Sequence, residues 1–348
     1  MLRAFLTIGA LQVVTMLVML VRTKTLAVVL GPEYVGAMAV IDKLLAVIVQ
    51  TVSLSMPFAA LRFLPSSWLA GPAEFRSLFV RMRNVLLGLV LAAAAGALLM
   101  TSWQPAIWGD ELLPYHDALK IGILSLPALA LVPFLQNAVA GRLEQNRSMR
   151  IVLFNALALT AATAGILWNG LAGYYGAYAV LGTVLVAVFN RRALRGTAKT
   201  NTSRVTPAAF GLPKAIWRFS GALLILTFVA PYAALFVHYR LLRDHGAEAA
   251  GWMQAAIGIS LSVRAVMGTA HSVFLTPNVN RGGPPIDRMQ WANRFQLLFC
   301  LLAGLAVPPL LLFPTIAVRM LYSDAFAPGA MFVMLFVLTE VLTLISDW

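Results

Sequence analysis

Runs of about twenty apolar residues follow one another along almost the whole chain, with short polar punctuation between them. A helix needs about 20 apolar residues to cross a bilayer core of about 30 Å, and inside such a core only helices or closed barrels satisfy their own backbone groups. Length and apolarity predict spans over 4–30, 36–64, 78–102, 116–139, 150–168, 171–190, 216–239, 250–275, 295–319 and 326–346. The chain reads as an all-α polytopic membrane protein. Composition agrees: 60% of its 348 residues are hydrophobic and 11% charged, against roughly 25% charged in a soluble domain.

Charge in the connections gives an orientation. Arg76, Arg81 and Arg83 follow span 2, Arg142, Arg147 and Arg150 follow span 4, and Arg281, Arg288 and Arg294 follow span 8. The stretch 191–215, after span 6, is basic and carries no acid. The alternate connections hold Glu33, Asp110, Glu111, Asp117, Asp244, Glu248 and Asp324. This alternation predicts a cytoplasmic N-terminus and accounts for the net charge of +13 without nucleic acid as a partner. No small-residue cleavage site follows the first run, so it is expected to stay as a span. The 191–215 stretch is expected to be a cytoplasmic linker, a topology signal that could also meet anionic headgroups. The single cysteine, Cys300, sits in an apolar run and suggests a buried small side chain. No Cys/His cluster suggests a metal, and no cofactor is expected.

An internal repeat organises the spans. Gly31-Pro32-Glu33-Tyr34-Val35-Gly36 joins spans 1 and 2, and Gly246-Ala247-Glu248-Ala249-Ala250-Gly251 joins spans 7 and 8, at an offset of 215 residues. Asp110 with Pro114 before span 4 matches Asp324 with Pro328 before span 10, at an offset of 214. Both halves are expected to start from the cytoplasm, which makes the repeat parallel, about an axis along the membrane normal. The expected organisation is a six-helix bundle over 1–190, the linker over 191–215 and a second bundle over 216–348. By the offset, Trp348 matches a position inside span 4, so the second six reads as incomplete.

Ionisable groups inside spans are the functional candidates, because each is costly there and faces a bundle interior or a wet cavity. Arg22 and Lys24 lie late in span 1, Lys43 in span 2, Arg240 near the repeat equivalent of Lys24, and Arg264 near the middle of span 8. Lys24 can also snorkel to the interface. Asp42 and Lys43 are helix neighbours that point about 100° apart and do not pair well with each other, so a structural ion pair of one of them across to span 1 is expected. Glu340, His238 and His271 are candidate coupling or hydrogen-bonded groups. The deep charges are mostly cationic, and span 1 holds no acid before Glu33. Such a lining suits an anionic ligand, above all a phosphate, which arginine can hold in a two-pronged contact.

The stretch Val21-Arg22-Thr23-Lys24-Thr25-Leu26-Ala27-Val28-Val29-Leu30-Gly31-Pro32-Glu33-Tyr34-Val35-Gly36, with Leu321-Tyr322-Ser323-Asp324-Ala325-Phe326, resembles the polysaccharide (O-antigen type) flippases of the MOP/MATE-like exporter superfamily. The resemblance implies two six-helix bundles around a central cavity, with Arg22 among the cations engaging a pyrophosphate. It implies as partner an undecaprenyl-pyrophosphate-linked oligosaccharide, flipped by alternating access across the bacterial inner membrane for surface polysaccharide biosynthesis, with membrane lipids and other polysaccharide assembly proteins as further partners. The alternatives are a cation-coupled multidrug antiporter of the same fold and, from another class, a membrane glycosyltransferase or polysaccharide polymerase. The last is disfavoured: the longest loop is basic, and no paired carboxylates, nucleophile or Gly-rich phosphate motif appears, so the chain is not expected to be an enzyme.

Overall fold

The computed structural model describes residues 2–103, 109–142, 144–194, 211–270, 301, 304–305 and 307–346. All regular structure among them is helical. In order run α1 (Leu2–Ser53), α2 (Met56–Ala70), α3 (Pro72–Trp103), a 3-10 turn (Asp110–Tyr115), α4 (His116–Leu124), α5 (Leu126–Ala140), α6 (Gln145–Ala162), a second 3-10 turn (Thr163–Gly165) and α7 (Ile166–Ala193). Then follow α8 (Lys214–Ala270), α9 (Pro314–Leu321), a third 3-10 turn (Asp324–Gly329) and α10 (Ala330–Ser346). Of the expected span 295–319, residues 295–300, 302–303 and 306 lie outside the described residues.

Among the described residues, five continuous stretches are long and apolar enough to cross a membrane: Gly9–Ser53, Pro72–Trp103, Asn146–Ala193, Lys214–Ser262 and Asp324–Leu342. The pair Asp110–Leu124 and Leu126–Ala140, bent by 42° at Ser125, makes a sixth. This is a multi-pass membrane protein. Three of the four spans missing against the ten expected have a simple cause: three of the stretches run 45, 48 and 49 residues, roughly 70 Å each at 1.5 Å per residue, and each contains a break. Gly31 breaks α1 (φ 73, ψ 177), Asn169 and Gly170 break α7, and Gly246 breaks α8 (φ 86, ψ 172). These breaks fall at the expected boundaries between spans 1 and 2, 5 and 6, and 7 and 8.

The repeat is visible in local geometry. Gly31 and Gly246 share one backbone conformation, in a region open essentially only to glycine. The two Asp-to-Pro motifs both open six-residue 3-10 turns with proline fifth, Asp110–Tyr115 and Asp324–Gly329. Gly36 and Gly251, again 215 apart, make reciprocal close approaches: a Cβ on Gly36 would strike the Ala247 carbonyl, and one on Gly251 would strike the Pro32 carbonyl. Because Ala247 stands to Pro32 as Gly251 stands to Gly36, the contact is self-complementary, as a pseudo-two-fold relation demands.

The chain forms two compact units, Met1–Gly36 with Asp244–Trp348, and Ala37–Arg243. The first has a core of Ala27, Val35, Ala256, Ile259, Tyr322 and Phe326, continued along α10 by Val333 and Val337. In the second, α7 packs on α4, α5 and α6, and α5 also on α2 and α3. Its aromatic ladder runs from Trp68 to Phe75 (5.3 Å between ring centroids), Phe79 (5.8 Å) and Phe134 (5.5 Å). Such pairs add about 0.5–1.5 kcal/mol each beyond their burial.

Candidate functional site

In the first unit, the break at Gly31 fixes how deep the cations of α1 lie along its first arm. Arg22 is nine residues before the break and Lys24 seven, or ~14 Å and ~10 Å along the axis. Both are half-buried. Arg22 lies within electrostatic range of the buried Tyr322. Lys24 Nζ donates to the carbonyls of Arg319 and Met320, each at 3.1 Å, in the last turn of α9. A cation there meets the negative end of the helix dipole and its orphan carbonyls. Lys24 is thus engaged structurally, with two of its three ammonium donors committed to α9.

Arg264 lies on the helical backbone of α8, 18 residues beyond Gly246, or ~27 Å along that arm. The arm starts at the break, before Gly251, so the arginine sits farther along it than the ~20 Å expected from Gly251. Glu340 is half-buried on α10, on the i, i+4, i+7 stripe of the buried Val333 and Val337. His271 lies outside the described residues.

In the second unit, Asp42 is exposed and Lys43 half-buried. Asp42 Oδ1 accepts a 2.8 Å hydrogen bond from the hydroxyl of Tyr175, a buried α7 residue. Arg240 is exposed near the end of the first arm of α8. His238 is 1% exposed, with Nδ1 2.8 Å from the Ala234 carbonyl. A carbonyl only accepts, so that bond places a proton on Nδ1.

Three groupings are not visible in the sequence. The Tyr239 hydroxyl donates to Glu111 Oε2 at 2.8 Å, and Arg243 Nε lies 3.9 Å from Glu111 Oε1. Gly109 (φ 101) lies so close to the Tyr239 ring that a Cβ would strike its hydroxyl. No spacing joins residues 111 and 239.

Arg142 reads as a topology charge, yet it is 9% exposed. Its guanidinium lies 4.0 Å from the Trp68 ring centroid, at the end of the aromatic ladder. Nη1 donates to the Ala193 carbonyl at 2.9 Å, and Nη2 is 3.2 Å from Glu144 Oε1. Burial draws the pKa of this guanidinium below its usual value, and Glu144 partly restores it.

Beside Arg142 is the third grouping, a cavity of about 160 Å³ lined by Glu144, Arg147, Arg150, Phe189 and Arg192, among others. Three charges that read as topology markers therefore converge where α6 begins and α7 ends. Among the described residues, no group of three or more His, Cys, Asp and Glu side chains could hold a metal ion.

No family model and no curated protein matches the chain. Solved structures do. An inward-facing multidrug resistance MATE family transporter of the MOP superfamily superposes with a TM-score of 0.66 at 12% identity, over 93% of this chain and 78% of that one. A MATE crystal structure in complex with MaD3S gives 0.61 at 14%, over 96% and 79%. A MATE in the bent conformation gives 0.56 at 15%, again over 96% and 79%. The fold is that of MATE/MOP transporters, the class expected from the repeat and the resemblance.

Proposed function

We propose that this chain is a transporter that flips an anionic, lipid-linked oligosaccharide across the membrane by alternating access. The fold supports transport in general. The observation that carries the anionic substrate is the charge on the first arm of α1: Arg22 and Lys24 stand in an arm with no carboxylate from Leu2 to Leu30. Arg22, half-buried and ~14 Å from the break, is at mid-membrane depth by helix rise, where a guanidinium is retained at a cost of several kcal/mol. It can hold a pyrophosphate in a two-pronged contact, while the polyprenyl tail stays in lipid. Arg264 and Arg240 are the further cations of this reading, and surface polysaccharide assembly in a bacterial inner membrane is its setting.

One observation favours a second reading, a cation-coupled multidrug exporter. Asp42 is an exposed carboxylate on the second arm of α1, oriented by Tyr175, and a carboxylate suits a cationic drug or a coupling ion.

The two separate in proteoliposomes. Flipping of a fluorescent polyprenyl-pyrophosphate oligosaccharide is expected to fall at least tenfold in Arg22→Gln, from loss of a charged contact, with efflux of a cationic dye absent in the parent. Dye efflux in the parent, abolished by Asp42→Asn and untouched by Arg22→Gln, would establish the second reading instead.

A further inference from the structure

We propose that the α6–α7 face of the second unit is a binding site for one anionic phospholipid of the leaflet on the basic side of the membrane. Its phosphate would sit among Arg147, Arg150 and Arg192, with an acyl chain lying along the helices.

The head end is the 160 Å³ cavity already described. Glu144 is its only acid, and it is taken up by Arg142 at 3.2 Å and Arg147 at 2.8 Å. Arg150 and Arg192 are exposed and have no carboxylate partner among the described residues. The Arg192 guanidinium lies 5.6 Å from the Phe189 ring centroid, which steadies it at the mouth. Three arginines against one glutamate in the lining leave a net charge of +2 around a space the size of a headgroup, and basic pockets between helices at this level suit anionic headgroups.

A second cavity, about 390 Å³, continues from the first. It shares Phe189 and Arg192 with it and is lined otherwise by apolar side chains, among them Phe154, Leu157, Ala161, Leu181 and Val184. Phe154, Leu157 and Val184 are 44%, 41% and 56% exposed, as the walls of a groove open to lipid would be.

Length decides the occupant. Arg150 and Ala161 are eleven residues apart on α6, and Arg192 and Leu181 are eleven apart on α7. Both walls therefore run ~16 Å from their arginine to the groove's end, close to the ~15 Å depth of one leaflet's hydrocarbon. A free phosphate has no use for the apolar part. A second copy in the same membrane would meet this face about an axis along the membrane normal, which sets one basic cluster against the other. One lipid matches charge and length together.

The test uses the whole chain, purified in detergent, with phosphatidylglycerol, phosphatidylcholine, dihexanoyl-phosphatidylglycerol or inorganic phosphate added, and reads bound lipid by native mass spectrometry and Tm. Long-chain phosphatidylglycerol should bind at one site per chain and raise Tm, and the other three additives should not. Arg150→Gln/Arg192→Gln, both exposed, should weaken that binding on the order of 30-fold, with about fivefold from each arginine. Ala161→Phe, which fills the groove at an exposed position, should also weaken it. Equal binding of phosphatidylcholine, unchanged binding in the double arginine variant, or a Tm rise with inorganic phosphate that Ala161→Phe leaves intact would each overturn the proposal. So would a parent that is a dimer whose dissociation alone exposes the site.

Discussion

Each unit contains a place where two backbones meet at glycines, and the two places are built differently. In the first unit, Gly36 abuts Ala247 and Gly251 abuts Pro32, so the contact joins segments 215 residues apart. In the second, a Cβ on Gly165 would strike the Gly173 carbonyl, and one on Gly173 would strike that of Gly165, across a reversal only eight residues long at Asn169 and Gly170. Both contacts are reciprocal and both exclude a side chain. The local one closes with its own turn, whereas the distant one closes only when the two repeats have come together. Small residues that let helix backbones touch are the usual adhesive where lipid removes the hydrophobic drive between helices. Here the same device serves once as a hairpin clasp and once as the junction between repeats.

Substitution should separate the clasp from the junction. Gly251→Val meets the Pro32 backbone, flanked by the buried Val35, Ala255 and Ala256. Nothing there can yield, and the expected loss is about 3 kcal/mol or more, read as a collapse of Tm and of monodisperse protein in detergent. Gly165→Val meets the Gly173 carbonyl and Ala177 Cβ at 3.1 Å, but the short hairpin can splay at its tip, so about 2 kcal/mol is expected. A Gly165 variant as damaged as the Gly251 variant would erase the distinction.

The next effect is smaller and tests the repeat itself. Gly31 and Gly246 have nothing within 4 Å of the place a methyl would occupy, so Gly31→Ala and Gly246→Ala change backbone conformation and nothing else. With φ at 73° and 86°, each should cost about 1–3 kcal/mol, and the two should lower Tm equally. Unequal shifts would mean that the shared conformation carries different strain in the two halves.

Much of this is legible in the sequence, because it depends on local chemistry. Apolar runs mark helices, glycine marks their breaks, and the Asp-to-Pro motif marks both six-residue 3-10 turns. What cannot be read depends on which helices touch. Tyr175 reaches Asp42 from α7, 133 residues away, while the sequence suggests a partner on span 1. Arg142 looks like a loop charge because no pattern tells that Trp68 and Phe75 wait beneath it. Lys24 stands out in sequence as a cation within a span, but the α9 carbonyls that hold it are 295 and 296 residues away and carry no side-chain signature at all.

Lys24 gives the smallest effect and a last distinction. Lys24→Met keeps the aliphatic stem and removes the ammonium from the end of α9. A cation in that position contributes about 0.3–1 kcal/mol, so Tm should fall by only a degree or two for a chain of this size. If the first unit is held mainly by its glycine junction, the loosening should stay in α9. Amide exchange should then rise over Pro314–Leu321 and stay unchanged over 247–256, where the junction lies. Exchange rising in both segments would show that α9 and the junction close as one cooperative element, and Lys24→Arg, which restores the donors, should return both to the parent pattern. Unchanged exchange everywhere, with transport lost, would instead put Lys24 on the substrate rather than on the helix.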